Sequence, residues 1–279
     1  MENKARDKFY PTFNDSVRLI IRVFIASFFV GVPVATVWLI LRDGFDVQSE
    51  LIDSFVLLIV YAVPLILVSR LGVKRIRIRN DNDYNLNWKL PNAVNLLVIV
   101  VTCISVTAVM DPLDSLMPVP REYVEMMESM AKPNVFSFLS IVVAAPLLEE
   151  ILFRGIILEG FLKNYSPKKA ILLSAAIFGA IHLNPWQASG AFLIGILIGW
   201  LYWKTRSLMP GIIIHFVNNA IAFFVILNFS GEIQSIRAWI GNSTTYWVVI
   251  GLSALLLIAG IYFMNVKLGT TSEMKKETV

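Results

Sequence analysis

A chain of 279 residues, 57% hydrophobic and only 16% charged, does not read as a water-soluble domain, where charged residues make up about 25%. Its mean hydropathy of +0.69 comes from long apolar runs between short polar stretches, the pattern of an all-α polytopic membrane bundle. The alternation over about ten residues that marks a membrane β-barrel is absent. A net charge of +4 and a single cysteine, Cys103, give no hint of nucleic acid and leave no disulfide framework or Cys-built metal site.

In chain order, the first sixteen residues are polar and the run after them is long enough to span, so no cleavable leader is expected. Eight runs approach the roughly 20 residues needed to cross a bilayer core of about 30 Å. They are Val17–Leu41, Leu51–Val68, Ala93–Met110, Asn134–Leu162, Lys168–Leu183, Ala188–Trp203, Leu208–Leu227 and Thr245–Met264. The fifth and sixth are short and meet at Asn184-Pro185-Trp186, where proline ends a helix. Lys and Arg collect in every second loop: Lys4, Arg6 and Lys8; Arg70 through Lys89; Lys163, Lys168 and Lys169; Lys204 and Arg206; Lys267, Lys275 and Lys276. The intervening loops hold Asp43, Asp46 and Glu50, then Asp111, Asp114, Glu122, Glu125 and Glu128. The positive-inside rule then predicts that both termini are cytoplasmic. The whole chain, residues 1–279, reads as one transmembrane domain, multi-pass in a membrane of prokaryotic type.

Two stretches outside the spans stand out. Lys74 to Lys89 alternates base and isoleucine before turning polar, as a loop obeying the charge rule does; contact with anionic lipid is the sharper reading. Arg121 to Met130 places Tyr123, Met126, Met127 and Met130 on one side of a helix, as in a helix resting on the membrane interface or a lid over a substrate.

The chemistry concentrates in Ala144–Leu158, AAPLLEEILFRGIIL. Each ionised side chain at mid-bilayer costs roughly 2.5–3.5 kcal/mol on insertion scales, so this acid pair implies a use. Glu150 and Arg154 are an i,i+4 pair on one helix face. Glu149 is turned by about 140° from Arg154 and is left free for chemistry. Both histidines of the chain, His182 and His215, also lie in apolar runs, and His215 shares a face with Asn219. A carboxylate shielded from water suits a general base. Two imidazoles with a carboxylate or amide oxygen suit one divalent metal ion, zinc above others, with a position left for water. Without metal, the imidazoles and the Asn219 amide suit an oxyanion. No G-x-S-x-G elbow is present, so covalent catalysis has no support.

Glu149-Glu150-Ile-Leu-Phe-Arg154, Phe178-x-x-x-His182 and His215-x-x-x-Asn219 resemble the three motifs of the CPBP intramembrane proteases. That family includes enzymes that remove the last three residues of prenylated C-a-a-X proteins and bacterial relatives linked to bacteriocin immunity. The resemblance covers about residues 134–227. It implies an endopeptidase in which Glu149 activates water, His182, His215 and Asn219 line the site, and Glu150, Arg154 and Phe178 support it. It leaves open whether Glu149, His182 and His215 hold a metal. Asn218 also lies near His215, but Asn219 falls on the motif position. The expected partners are the lipid bilayer and a membrane-associated protein or peptide substrate, prenylated in the eukaryotic relatives. The alternatives are a non-catalytic scaffold or immunity factor that binds a partner, and a proton-coupled transporter, whose repeat symmetry is not seen.

One mismatch arises from rise per residue. Glu149 and His182 should lie about 20 Å from the basic end of their spans, but His215 only about 10 Å. A dip before Pro210, with that proline in the first turn of the seventh span, would remove it. The three side chains are expected to meet in one polar cavity.

Overall fold

In the computed structural model, residues 9–44, 49–114, 116–117, 119–229 and 235–268 are described. Lys4, Arg6, Lys8, Asp46, Lys275 and Lys276 lie outside the described residues. Every regular element among the described residues is helical: α1 (Phe13–Gly44), α2 (Glu50–Arg79), α3 (Ala93–Asp114), α4 (Arg121–Met130), α5 (Val135–Asn164), α6 (Pro167–Ala180), α7 (Pro185–Thr205), α8 (Met209–Phe229), α9 (Ile236–Ile240) and α10 (Ser243–Lys267).

Each of the eight apolar runs is a helix, but only seven are long and apolar enough to cross a bilayer among the described residues. The exception is α6, whose 14 residues reach about 21 Å. It stops at Ala180 because the chain turns sharply: Leu183 adopts φ 56°. Asn184 then accepts from the Gln187 amide to cap α7, with Pro185 in its first turn. The two helices pack as a close hairpin. A Cβ on Gly179 would stand 2.8 Å from the Ala188 carbonyl oxygen, so only glycine permits this approach.

Sequence also dictates the irregularity of α5. Two π-helical turns, Leu139–Ala144 and Phe153–Leu158, flank the segment that carries Glu149 and Glu150. In the first, the Ala145 amide bonds the carbonyl five residues back, at Ser140. The next amide in that register would bond Ile141, but residue 146 is proline and has none. The free Ile141 carbonyl takes the Asn219 side-chain amide from α8 at 2.9 Å. α5 is the centre of the bundle, with Phe153, Ile156, Ile157, Leu158 and Phe161 fully buried against Val68 and Ile76 of α2 and Ala170 of α6.

The polar loops sort to two ends. At the basic end, Asn164 clasps the Phe9 backbone in both directions, at 3.0 and 2.7 Å, and Arg206 pairs with Glu159 at 3.1 Å. Leu268, after α10, lines a cavity of about 400 Å³ with Lys89 and Asn92. The first and last described residues therefore share an end. At the opposite end Trp38 donates to Asp53 at 2.7 Å and Asn134 to Ser54 at 2.9 Å.

The stretch from Asn80 to Pro91 is a strap across the basic end. The Tyr84 hydroxyl donates to the Gly155 carbonyl. Burial first, and the charge of Glu159 second, push that phenol above its ordinary range, so it stays a donor. Leu86 rests on Gly155, where Leu208 also packs. The Leu208 amide and the Ser207 hydroxyl bond the strap backbone at Asn87 and Lys89, at 2.9 and 2.8 Å. These contacts draw the start of α8 inward to the level of Gly155, with Leu208, Pro210 and Gly211 buried.

Candidate active site

The depth mismatch is thereby removed. Gly155 follows Glu149 by six residues, and His215 follows Leu208 by seven, so the side chains lie about 9 and about 10.5 Å from the same level. The side chains meet: His215 Nε2 is 3.8 Å from Glu149 Oε2, and His215 Nδ1 is 3.2 Å from Glu150 Oε1.

Glu150 and Arg154 form the pair expected from their spacing, 2.7 Å apart and essentially without solvent contact (0% and 1%). The guanidinium also donates to the Gly195 carbonyl of α7 at 3.2 Å and lies 4.7 Å over the Phe178 ring. That ring is the packing centre of the site. It meets His182 and His215 edge to face, with centroids 5.4 and 5.6 Å away. Phe178, placed in a motif by sequence alone, thus contacts the guanidinium and both imidazoles.

α8 packs closely over the Glu150 carboxylate. A Cβ on Gly211 would stand 2.9 Å from Glu150 Oε2 and 2.5 Å from Ile198. Gly211→Ala is therefore expected to cost about 1–3 kcal/mol by overpacking and to slow any reaction that depends on the acid pair. Thermal unfolding in micelles checks the first effect, and unchanged unfolding would refute it.

The tautomers follow from the partners. Phe178 O can only accept, so in its 2.9 Å contact with His182 Nδ1 the ring nitrogen carries the hydrogen. His182 thus bonds a carbonyl released by the end of α6 and keeps Nε2 for the cavity. The same logic puts the hydrogen of His215 on Nδ1, toward Glu150, and leaves a lone pair on Nε2, toward Glu149, in the neutral ring.

Glu149 receives a hydrogen bond from Tyr61 of α2 on Oε1. Its Oε2 is buried without a hydrogen-bond partner among the described residues. A cavity of about 250 Å³ opens beside it, lined by Tyr61, Glu149 and His182 with aliphatic residues of α1, α2 and α5. The expectation of one polar cavity needs correction. The walls are mostly apolar, Glu149 and His182 share the cavity, and His215 approaches Glu149 from outside its lining.

Two further expectations change. Asn219 holds the Ile141 carbonyl and accepts from Asn218 at 3.4 Å, so it clasps α8 to α5 instead of facing the cavity. For the metal set of Glu149, His182 and His215, no three His, Cys, Asp or Glu side chains gather as a metal site among the described residues. The Phe178 ring contacts both imidazoles, and the donors as placed do not gather for a zinc ion.

Sequence reasoning missed Tyr61. A lone phenol in the apolar run Leu57–Val63 is the signal that was available, since a buried hydroxyl needs a partner.

Residues 131–221 match the sequence model of a family described as type II CAAX prenyl endopeptidase, Rce1-like. The matched segment contains Glu149, Glu150, Arg154, Phe178, His182, His215 and Asn219, and it agrees with the family indicated by the three motifs. No curated protein and no solved structure matches the chain.

Proposed function

We propose, from the match of the central third of the chain to an endopeptidase family, that the protein is an intramembrane endopeptidase whose general base is Glu149. The observation that carries this reading is the pair of facing acceptors, Glu149 Oε2 and His215 Nε2, 3.8 Å apart in a buried site beside a cavity. One water molecule offers a hydrogen to each. As its oxygen bonds the carbonyl carbon of the scissile peptide, Glu149 takes a proton. That proton passes to the leaving nitrogen as the C–N bond breaks, and an acid and an amine result. The second hydrogen stays on the water-derived oxygen and becomes the hydroxyl of the product acid, with His182 Nε2 in the cavity wall to accept a hydrogen bond from it. Arg154 balances the charge of Glu150, so Glu149 is the acid of the pair left to take the proton.

The apolar walls suit a membrane-associated protein or peptide whose chain enters from the bilayer. The family description points to tails of the C-a-a-X kind, carried over to this chain with the basic end facing the cytoplasm. The reading uses no metal, because the donor side chains do not converge.

The test is cleavage of a bilayer-anchored peptide by the protein in liposomes. The wild type should release product, and His182→Ala should lose most of the rate, about 100-fold or more. Equal product from both would end the proteolytic reading. Incubation with a membrane-permeant zinc chelator should leave the wild-type rate unchanged; loss of activity that zinc restores would show that the donors gather around an ion during turnover.

A further inference from the structure

We infer that Tyr61 is a positioning residue for this hydrolysis: its hydroxyl fixes the Glu149 carboxylate so that Oε2 is the oxygen that receives the proton. The inference rests on the reading of Glu149 as general base.

A carboxylate turns about a broad, two-fold terminal torsion, so the two oxygens of an unrestrained glutamate exchange roles freely. Here they differ. Oε1 accepts the Tyr61 hydroxyl, while Oε2 faces His215 Nε2 at 3.8 Å and has no hydrogen-bond partner among the described residues. The donor comes from a separate helix, 88 residues away in sequence. Glu149 is therefore held from two sides, by its own backbone in α5 and by α2 through the phenol, while the α8 imidazole faces its free oxygen.

Packing alone does not require the hydroxyl. Tyr61 sits among Leu57, Leu58, Ile59 and Val60 before it and Ala62 and Val63 after it, where phenylalanine would fill the same space. The oxygen also stands in the wall of the cavity that holds Glu149 and His182. The charged or titratable groups around Glu149 are Glu150 and Arg154 of its own helix, His215 of α8, His182 across the cavity and Tyr61 itself. The part of the wall from α1, Ile20, Val23, Phe24 and Ser27, carries no charge. Tyr61 is the member of this set whose hydroxyl bonds the base.

Steady-state cleavage in liposomes across a pH series tests the role. Tyr61→Phe should lower kcat about 10- to 100-fold through loss of alignment, with KM changed by less than about twofold. Its acid limb should move to higher pH, because the carboxylate loses a hydrogen bond that favours its ionised form. A fluorinated phenol at position 61 keeps the shape but is a stronger donor, and should move the acid limb to lower pH. It also serves if Tyr61→Phe does not fold. Wild-type values of kcat and of the acid limb in the variants, or a change in KM alone, would overturn the inference while leaving the protease reading in place. A wild-type protein that releases no product would instead defeat the reading itself.

Discussion

Glu149→Gln is expected to abolish measurable cleavage, with kcat/KM lowered about 1,000-fold or more, while the fold survives intact. The amide oxygen still accepts from Tyr61, so the packing and the hydrogen bond on Oε1 are kept. The other oxygen becomes an NH₂ group, which donates and cannot take a proton, and general-base catalysis is typically worth 10²–10⁴-fold. No charge partner is stranded, because Arg154 is paired with Glu150. Glu150→Gln gives the opposite result. It leaves the guanidinium buried without its counter-charge, which costs about 3–5 kcal/mol. Measured together, thermal unfolding and cleavage should separate the neighbours: wild-type unfolding with no activity for Glu149→Gln, early unfolding for Glu150→Gln. Similar unfolding losses in both would show that Glu149 too is structural.

Arg154→Met carries the second large effect. The guanidinium is the largest fully buried side chain of the described residues, bonded to Glu150 and Gly195 and lying on Phe178. Methionine fills much of the volume but strands the Glu150 carboxylate, and removing one partner of a buried pair costs about 3–5 kcal/mol. The double variant Glu150→Leu with Arg154→Met removes both charges and should recover most of that loss. It should not recover activity, because His215 Nδ1 then lacks the acceptor that sets its tautomer. A double variant as unstable as Arg154→Met alone would show that the guanidinium acts through Gly195 and Phe178, not through its charge.

These effects differ in how far the sequence revealed them. Glu150 and Arg154 were legible as a pair because helical spacing is local, and the same spacing set Glu149 apart. The alternation of basic loops anticipated which segments share an end. The length of α6 was hidden because Ala180 to Leu183 is as apolar as the helix before it, apart from His182, and His182 itself bonds the carbonyl freed at the end. The π-helical turns were hidden because one widened turn barely disturbs a 3.6-residue periodicity. Tyr61 was hidden for another reason. Its partner is on a different helix, and no local pattern states which faces meet. The placement of the metal donors was hidden on the same ground, since motifs list donors but not the distances between helices, nor the aromatic ring against both imidazoles. Asn219 falls on the motif position, yet its amide answers a carbonyl that only the missing proline N–H explains.

That last contact has a consequence for how the sequence can drift. The imino acid at 146 creates a debt of one donor in α5, and a side chain 78 residues downstream of the debtor carbonyl settles it. Positions 146 and 219 are thus bound in a single constraint, although neither touches the other's chemistry. A lineage that lost the proline would release the amide for other work, and one that lost the amide would gain by losing the proline. Covariation of these two sites, not invariance of each, is the imprint this joint should leave on descendants.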